Sequence, residues 1–376
     1  MRWHGLTLLA ALVYWYGAYV TPCFAQEPAP RAKKSVRSFR MGFTPWPSDL
    51  THEAVDASYA FADTHADVIM HHFDNGVPWD AALSGAPFSQ WLQDEWANRL
   101  AKTSSGQAIF LSITPLNFQR TGLALYTGET DGLALPEPWS GYRLNHPDVK
   151  QAFTQYARRA ILYFQPHYVA LGIETNILIS NDPTLWEDYV DLHAHVYLEL
   201  KREFPTLSMF PTIQYEHFRG IEEASKANVH LQASRVADLM PYADVVALST
   251  YQFGRGHNRV HSKYFAPALA YGKPVAISES GSISHPVTIW GHPILAKPGD
   301  QKRFVSFLLA QARKHRFPFV INWVPIDFDP LLEHLTGDAH EIGKAWVHTG
   351  LAYPDGTPKP ALRTWDRYFS RFEWAP

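Results

Sequence analysis

The chain has 376 residues, 33 Lys and Arg against 36 Asp and Glu, 13 Trp within a 14% aromatic content, and a single cysteine. A net charge of −3 offers no electrostatic footprint for nucleic acid or an anionic membrane. One cysteine, Cys23, excludes a disulfide framework and a thiolate metal site, and about 350 residues beyond it are enough to bury a large core without such staples.

At the start of the chain Arg2 and His4 precede a largely apolar run, Leu6 to Val20, and Cys23-Phe24-Ala25 ends on a small residue. This is the pattern of a secretory signal peptide over residues 1–25. Tyr14, Tyr16 and Gly17 interrupt the run, which is short for a membrane span, and Val20-Thr21-Pro22 fits a lipoprotein signal poorly. The reading implies a secreted or periplasmic protein whose mature chain has no cysteine nucleophile. Residues 26–38 are Pro-rich and basic (Pro28, Pro30, Lys33, Lys34, Arg37) and read as a flexible leader.

From residue 39 onward a period sets in. Short runs rich in Val, Ile, Leu and Phe fall at about 39–45, 66–73, 107–114, 168–174, 207–214, 243–250, 274–279 and 318–324. Most are separated by segments with helical spacing: Glu53 to Ala66, Phe88 to Lys102, Val149 to Phe164, Pro183 to Phe204, Ile221 to Met240, Gln301 to His315 and Pro360 to Phe372. Continuous apolar runs suit parallel strands buried on both faces. Eight strands alternating with helices predict an α/β fold, a (β/α)8 TIM barrel formed as one domain over residues 39–376. Thr44-Pro45-Trp46-Pro47 stands where a doubly wound nucleotide-binding sheet would carry a glycine-rich turn. Segments leaving strands are long at 114–148, 280–300 and 325–356, which marks the carboxyl ends of the strands as the functional face. Trp139, Tyr142 and Trp290 in these loops predict ordered cleft walls.

Two strands end abruptly in a carboxylate: Tyr168-Val-Ala-Leu-Gly-Ile-Glu174 and Pro274-Val-Ala-Ile-Ser-Glu279. Burying an acid at a strand tip is costly unless it is paired or the site is open. Two such tips on opposite sides of a barrel mouth match the pair of carboxyls that glycosidic bond cleavage requires. A second group, Trp46, His71-His72-Phe73-Asp74 and Trp79, supplies polar and aromatic side chains for sugar hydroxyls and ring faces.

The segments Leu171-Gly-Ile-Glu-Thr-Asn176, Ala247-Leu-Ser-Thr-Tyr251, Gly272-Lys-Pro-Val-Ala-Ile-Ser-Glu-Ser-Gly281, Ile321-Asn-Trp323 and Gly350 to Ala361 resemble, in this order, the clan-A glycoside hydrolases, and among them the endo-β-1,4-galactanase type. The resemblance implies that Glu174 is the acid/base, Glu279 the nucleophile, Tyr251 its hydrogen-bond partner and Trp323 the floor of the reacting subsite. It also implies a retaining mechanism with the carboxyls roughly 5–5.5 Å apart. The substrate would be a β-linked poly- or oligosaccharide, cut without a cofactor by a monomer. One position departs from the clan. Ile173 stands where an Asn usually holds the sugar 2-hydroxyl, which leaves Asn176 or a different substrate to compensate.

Two other readings follow from the same residues. One is a catalytically silent barrel that binds glycan in an envelope or exopolysaccharide system, with Glu174 and Glu279 as remnants. The other is a metal-dependent deacetylase or amidohydrolase in which His71, His72 and Asp74 join His217 or Asp327 around zinc. Neighbouring residues of a strand face opposite ways, so at most one of His71 and His72 would serve. Glu216, in Gln214-Tyr-Glu-His217, is a rival partner for Glu279, although the weak apolar lead before it favours a solvated charge at a helix start.

Overall fold

The computed structural model describes residues 39–221, 227–251 and 260–371. The expected signal peptide and leader, and the end of the expected closing helix, lie outside the described residues. The strands are β1 (Arg40–Phe43), β2 (Val68–Phe73), β3 (Ala108–Ile113), β4 (Tyr168–Ala170), β5 (Ser208–Phe210), β6 (Thr212–Gln214), β7 (Val246–Tyr251), β8 (Val275–Gly281), a hairpin of β9 (Val287–Ile289) and β10 (His292–Ile294), and β11 (Phe319–Asn322). Nine form one sheet in the order β5-β4-β3-β2-β1-β11-β8-β7-β6, parallel throughout.

The fifth stave of the barrel is split in two because Pro211 has no N–H to give to the ladder. Pairing resumes on either side of it. Phe210 O accepts from Leu171 N at 2.9 Å and Thr212 N donates to Gly172 O at 2.8 Å on one flank, while Asp244 N donates to Met209 O at 2.9 Å on the other. The nine strands are therefore eight staves of a nearly closed (β/α)8 barrel. All eight expected strands are present.

Side-chain alternation along the staves divides the apolar residues into two layers. Val68, Met70, Phe110, Ala170, Phe210, Ala247, Ala276, Phe319 and Ile321 fill the bore. The outward set, including Ile69, Leu111, Val169, Leu248 and Val320, packs with the helices into the larger core. Those helices are α1 (His52–His65), α2 (Trp79–Ser84), α3 (Gln90–Lys102), α4 (Pro147–Phe164), α5 (Trp186–Glu203), α6 (Val229–Leu239), α7 (Pro298–His315) and α8 (Pro360–Arg371). In α4 the buried residues Phe153, Tyr156, Ala157, Ala160, Ile161 and Phe164 recur at three- and four-residue spacing. Pro147 opens this helix and Gln165, in the left-handed conformation, closes it. Each large apolar side chain so buried contributes about 1.5–3 kcal/mol.

Two elements have bounds other than those the sequence predicts. Helix α6 spans Val229–Leu239, where the Asn228 side chain accepts from the N–H groups of His230 and Leu231 and starts the helix; positions 222–226 of the expected helix lie outside the described residues. The strand expected over 168–174 ends at Ala170; Leu171 and Gly172 keep one bond each to the fifth stave, and Gly172 passes so close to Tyr189 that a Cβ would lie 2.3 Å from its hydroxyl. The chain then turns, and that turn carries Glu174.

Candidate active site

Strand β8 carries one extra residue. Its register against β7 runs Ala247 with Ala276, Leu248 with Ile277, and then Ser249 with Glu279, leaving Ser278 unmatched. Ala276 faces the bore, so strict alternation would turn Glu279 toward the helices. The bulge returns it to the bore, on the same side as Tyr251, which is how such irregularities re-aim side chains. Glu279 is 5% exposed, and Tyr251 Oη donates to its Oε2 at 2.8 Å.

Glu174 reaches the same mouth by different means. Its backbone is left-handed (φ 46°), a conformation that costs a non-glycine residue about 1–2 kcal/mol. Two contacts hold it: Glu174 N donates to Thr212 Oγ1 at 2.8 Å, and Arg120 Nε donates to the Ile173 carbonyl at 2.7 Å. The Arg120 guanidinium, 2% exposed, also grips both oxygens of Asp74, at 3.0 and 2.8 Å. Burial raises the Asp74 pKa against the lowering pull of Arg120, while the pair raises that of Arg120. The bidentate geometry is that of an ionised pair.

The electrostatics bind these groups into one site. Burial, then the charge of Glu174, pushes the Glu279 carboxyl well above the usual range, against the opposing Tyr251 hydrogen bond. Both glutamates raise the pKa of Arg120. Tyr251 is likewise raised by burial, Glu279 and Glu174, and stays a donor. Burial, Arg120 and Arg99 lower His72 to about 3, so its imidazole is neutral where it faces Glu279 Oε1 at 3.7 Å. Its ring meets Trp323 edge-on, with centroids 5.0 Å apart, and Trp323 in turn lies 6.2 Å from Trp46. Trp323 N donates to Ser280 O at 2.7 Å, which ties this aromatic wall to the strand that bears Glu279.

Of the residues singled out from the sequence, Glu174, Glu279, Tyr251, His72, Asp74, Trp323 and Trp46 come together here. Trp79 does not. It is fully buried, donates from Nε1 to Ala124 O at 3.0 Å and stacks on Trp139 at 5.4 Å, so both indoles belong to the core beneath the 114–148 loop. Asn176 is not free to replace the amide missing at Ile173. Its Nδ2 donates to Gln214 O and Gln232 Oε1, and its Oδ1 accepts from Gln214 N. Glu216 is not a solvated charge. It is buried and accepts from Thr250 Oγ1 at 2.6 Å, Tyr251 N at 3.1 Å and Tyr264 Oη, which anchors the end of β7.

The residues proposed for a zinc site are dispersed. His71 faces the helices and contacts Thr103 Oγ1 at 3.0 Å, whereas His72 faces the bore. His217 contacts Ser180 Oγ at 2.8 Å, and Asp327 is bound by Lys359 Nζ at 2.5 Å. Among the described residues, His285, Asp327 and His348 bring ligand atoms within 4.8 Å of one another, but the Lys359 ammonium already supplies the positive charge at that carboxylate. Sequence reasoning missed Arg120, which sits in a loop without a motif. Its one signal is Asp74, a strand-end acid that burial obliges to find a cation.

No protein-family model matches the chain, and comparison with curated proteins gave no match. Solved structures do share its fold. A GH5_18 enzyme from Streptomyces cattleya in complex with Manβ1-4GlcNAc superposes with a TM-score of 0.60 at 16% identity, over 90% of this chain and 83% of that one. An exo-β-1,4-mannosidase from Opitutaceae bacterium strain TAV5 gives 0.59 at 13% identity, over 89% of this chain and 59% of its own length. A β-glucuronidase of Dictyoglomus thermophilum gives 0.50 at 12%, over 91% and 52%. The architecture is thus a (β/α)8 barrel, a fold this chain shares with these glycoside hydrolases. No helix among the described residues is long and apolar enough to cross a membrane.

Proposed function

We propose that the chain is an exported retaining glycosidase that cleaves a β-linked poly- or oligosaccharide by double displacement. The observation that carries this is the pairing of two carboxyls from the fourth and seventh staves in one mouth, one of them held by a tyrosine hydroxyl. In the first step an oxygen of Glu279 bonds to the anomeric carbon while the glycosidic bond breaks, and Glu174 gives its proton to the departing oxygen. In the second, Glu174 takes a proton from water, which displaces the Glu279 carboxylate and releases the sugar. Trp323 and Trp46 offer ring faces for stacking, and the left-handed Glu174 leaves its side chain half-buried rather than sealed in the core.

The reading is tested with the purified mature protein and aryl 2-deoxy-2-fluoro-β-glycosides of galactose, glucose and mannose, which accumulate the covalent intermediate. The expected result is a mass increase on the peptide containing Glu279 and loss of hydrolysis in Glu279→Gln. Absence of labelling, together with unchanged turnover in that variant, overturns it. The buried Ile173, which offers no amide to a sugar, favours the silent glycan-binding barrel as a second reading. That reading predicts glycan retention on an affinity column by both wild type and Glu279→Gln, with no turnover.

A further inference from the structure

Hydrogen bonds to the sugar 2-hydroxyl that strengthen in the transition state supply several kcal/mol in glycoside cleavage. Here the obvious providers are spent or absent. Ile173 is apolar, Asn176 is fully bonded, and the Asp74 oxygens belong to Arg120. Two buried polar atoms of the site nevertheless have no hydrogen-bond partner, His72 Nδ1 and Glu279 Oε1. They face each other at 3.7 Å, too far for a hydrogen bond to each other and close enough for one oxygen, seated beside the line that joins them, to bond to both. Unmet atoms of this kind cost free energy in the empty site and return it when a ligand group fills the gap.

We propose that His72 Nδ1 and Glu279 Oε1 jointly bind the hydroxyl on carbon 2 of the sugar undergoing displacement. The inference rests on the retaining-glycosidase reading and deepens it. The hydroxyl accepts from Nδ1–H and donates to Oε1, while Oε2 keeps its bond from Tyr251. The imidazole proton sits on Nδ1 because the neighbour on that side, Oε1, lacks a donor, whereas Asp74 on the Nε2 side, 4.0 Å away, has both oxygens satisfied by Arg120. The neutral state of the ring suits this role, since a charged imidazolium would pair with Glu279 directly. His72 also touches Trp323 edge-on, so the hydroxyl clamp and the aromatic surface are set against each other. His72 would then be a determinant of which sugars are accepted, favouring those with a free 2-hydroxyl.

The test compares an aryl β-glycoside hydrolysed by the wild type with its 2-deoxy congener, in wild type, His72→Phe, His72→Asn and His72→Gln. Expected for His72→Phe is a kcat/KM loss of about 10–100-fold on the 2-hydroxy substrate, the size of one hydrogen bond in a charged network, and a much smaller loss on the 2-deoxy congener. Asn, whose amide nitrogen overlays Nδ1, restores most of the loss, and Gln, whose amide overlays Nε2, does not. Equal losses on both substrates, or equal behaviour of Asn and Gln, overturn the proposal and leave His72 a packing residue. Labelling by the 2-fluoro reagent separates the two levels. If Glu279 is labelled while the losses are equal, this inference alone fails, and if no variant or wild type is labelled, the glycosidase reading fails and takes the inference with it.

Discussion

Arg120 is bound on three sides by acceptors, the Ile173 carbonyl, the Asp74 carboxylate and the Asn117 carbonyl at 2.7 Å. One guanidinium thereby fixes the turn that aims Glu174 and neutralises the acid beside His72. The same neighbourhood sets the pH behaviour. On the proposed mechanism Glu279 must be ionised to attack, and the charge of Glu174 is the largest influence after burial that keeps it protonated. Replacing Glu174 with Gln removes that charge, so Glu279 ionises at lower pH. The acid limb of the kcat/KM profile on an aryl glycoside with an activated leaving group therefore moves to lower pH. On poor leaving groups the same variant loses about 10²–10⁴-fold, the worth of general acid catalysis. At this scale the two glutamates were legible because each interrupts an apolar run. Asn176 misled because sequence spacing does not reveal that Gln214 and Gln232 occupy its amide. Trp79 misled because a tryptophan beside a strand end reads the same whether it faces the mouth or the core.

Among the elements, the loop after β8, the loop after β11 and the start of α8 meet at one buried cation. Lys359, fully enclosed, places Nζ 2.6 Å from Asp327 Oδ1 and 2.8 Å from Ser284 Oγ. Breaking a buried pair from one side is strongly destabilising, because the remaining charge has neither water nor partner. Lys359→Met is expected to lose about 3–5 kcal/mol in urea unfolding. The double variant Lys359→Met with Asp327→Leu should recover most of this, since no charge is then stranded. Equal losses in single and double variants would show that the site is held by packing and not by the ion pair. The strands themselves were legible from continuous Val, Ile and Leu runs. The close approach of Gly172 to Tyr189 beyond the end of β4 was not, because Tyr189 lies seventeen positions away and on a different element. The start of α6 at Val229 is set by Asn228, which competes for backbone N–H groups inside a stretch whose apolar spacing looks helical throughout.

For the whole molecule, the site is held at some cost to the fold. The folded-state pKa of Glu279 lies above its ordinary 4.5, so the folded protein retains a proton that the unfolded chain releases. Below about pH 4.5 both states are protonated and there is no penalty. As pH rises through the window between the two values, the unfolded state is increasingly favoured. Glu279→Gln removes the titration, keeps an acceptor for Tyr251, and should unfold at a higher urea concentration than wild type at pH 8. The two proteins should converge at pH 4. A variant no more stable than wild type at pH 8 would mean that the carboxylate is better solvated than its burial indicates. The barrel as a whole was legible from the eightfold alternation, and the functional face from loop length. The bulge at Ser278 was hidden, since one surplus residue in an apolar run leaves no mark on composition.

The broken fifth stave has a mechanical consequence. The pairings that bear His72 and Glu279, β2 with β3 and β7 with β8, each run over six residue pairs, whereas β4 with β5 and β6 with β7 run over three, with Pro211 between them. The arc that carries Glu174 therefore has a seam in it, while β8 is paired at length on the β7 side only, since β11 meets it at a single residue pair. On the proposed mechanism a proton donor that serves first a leaving sugar and then a water molecule must follow an oxygen that changes position, and Glu174 hangs beside that seam.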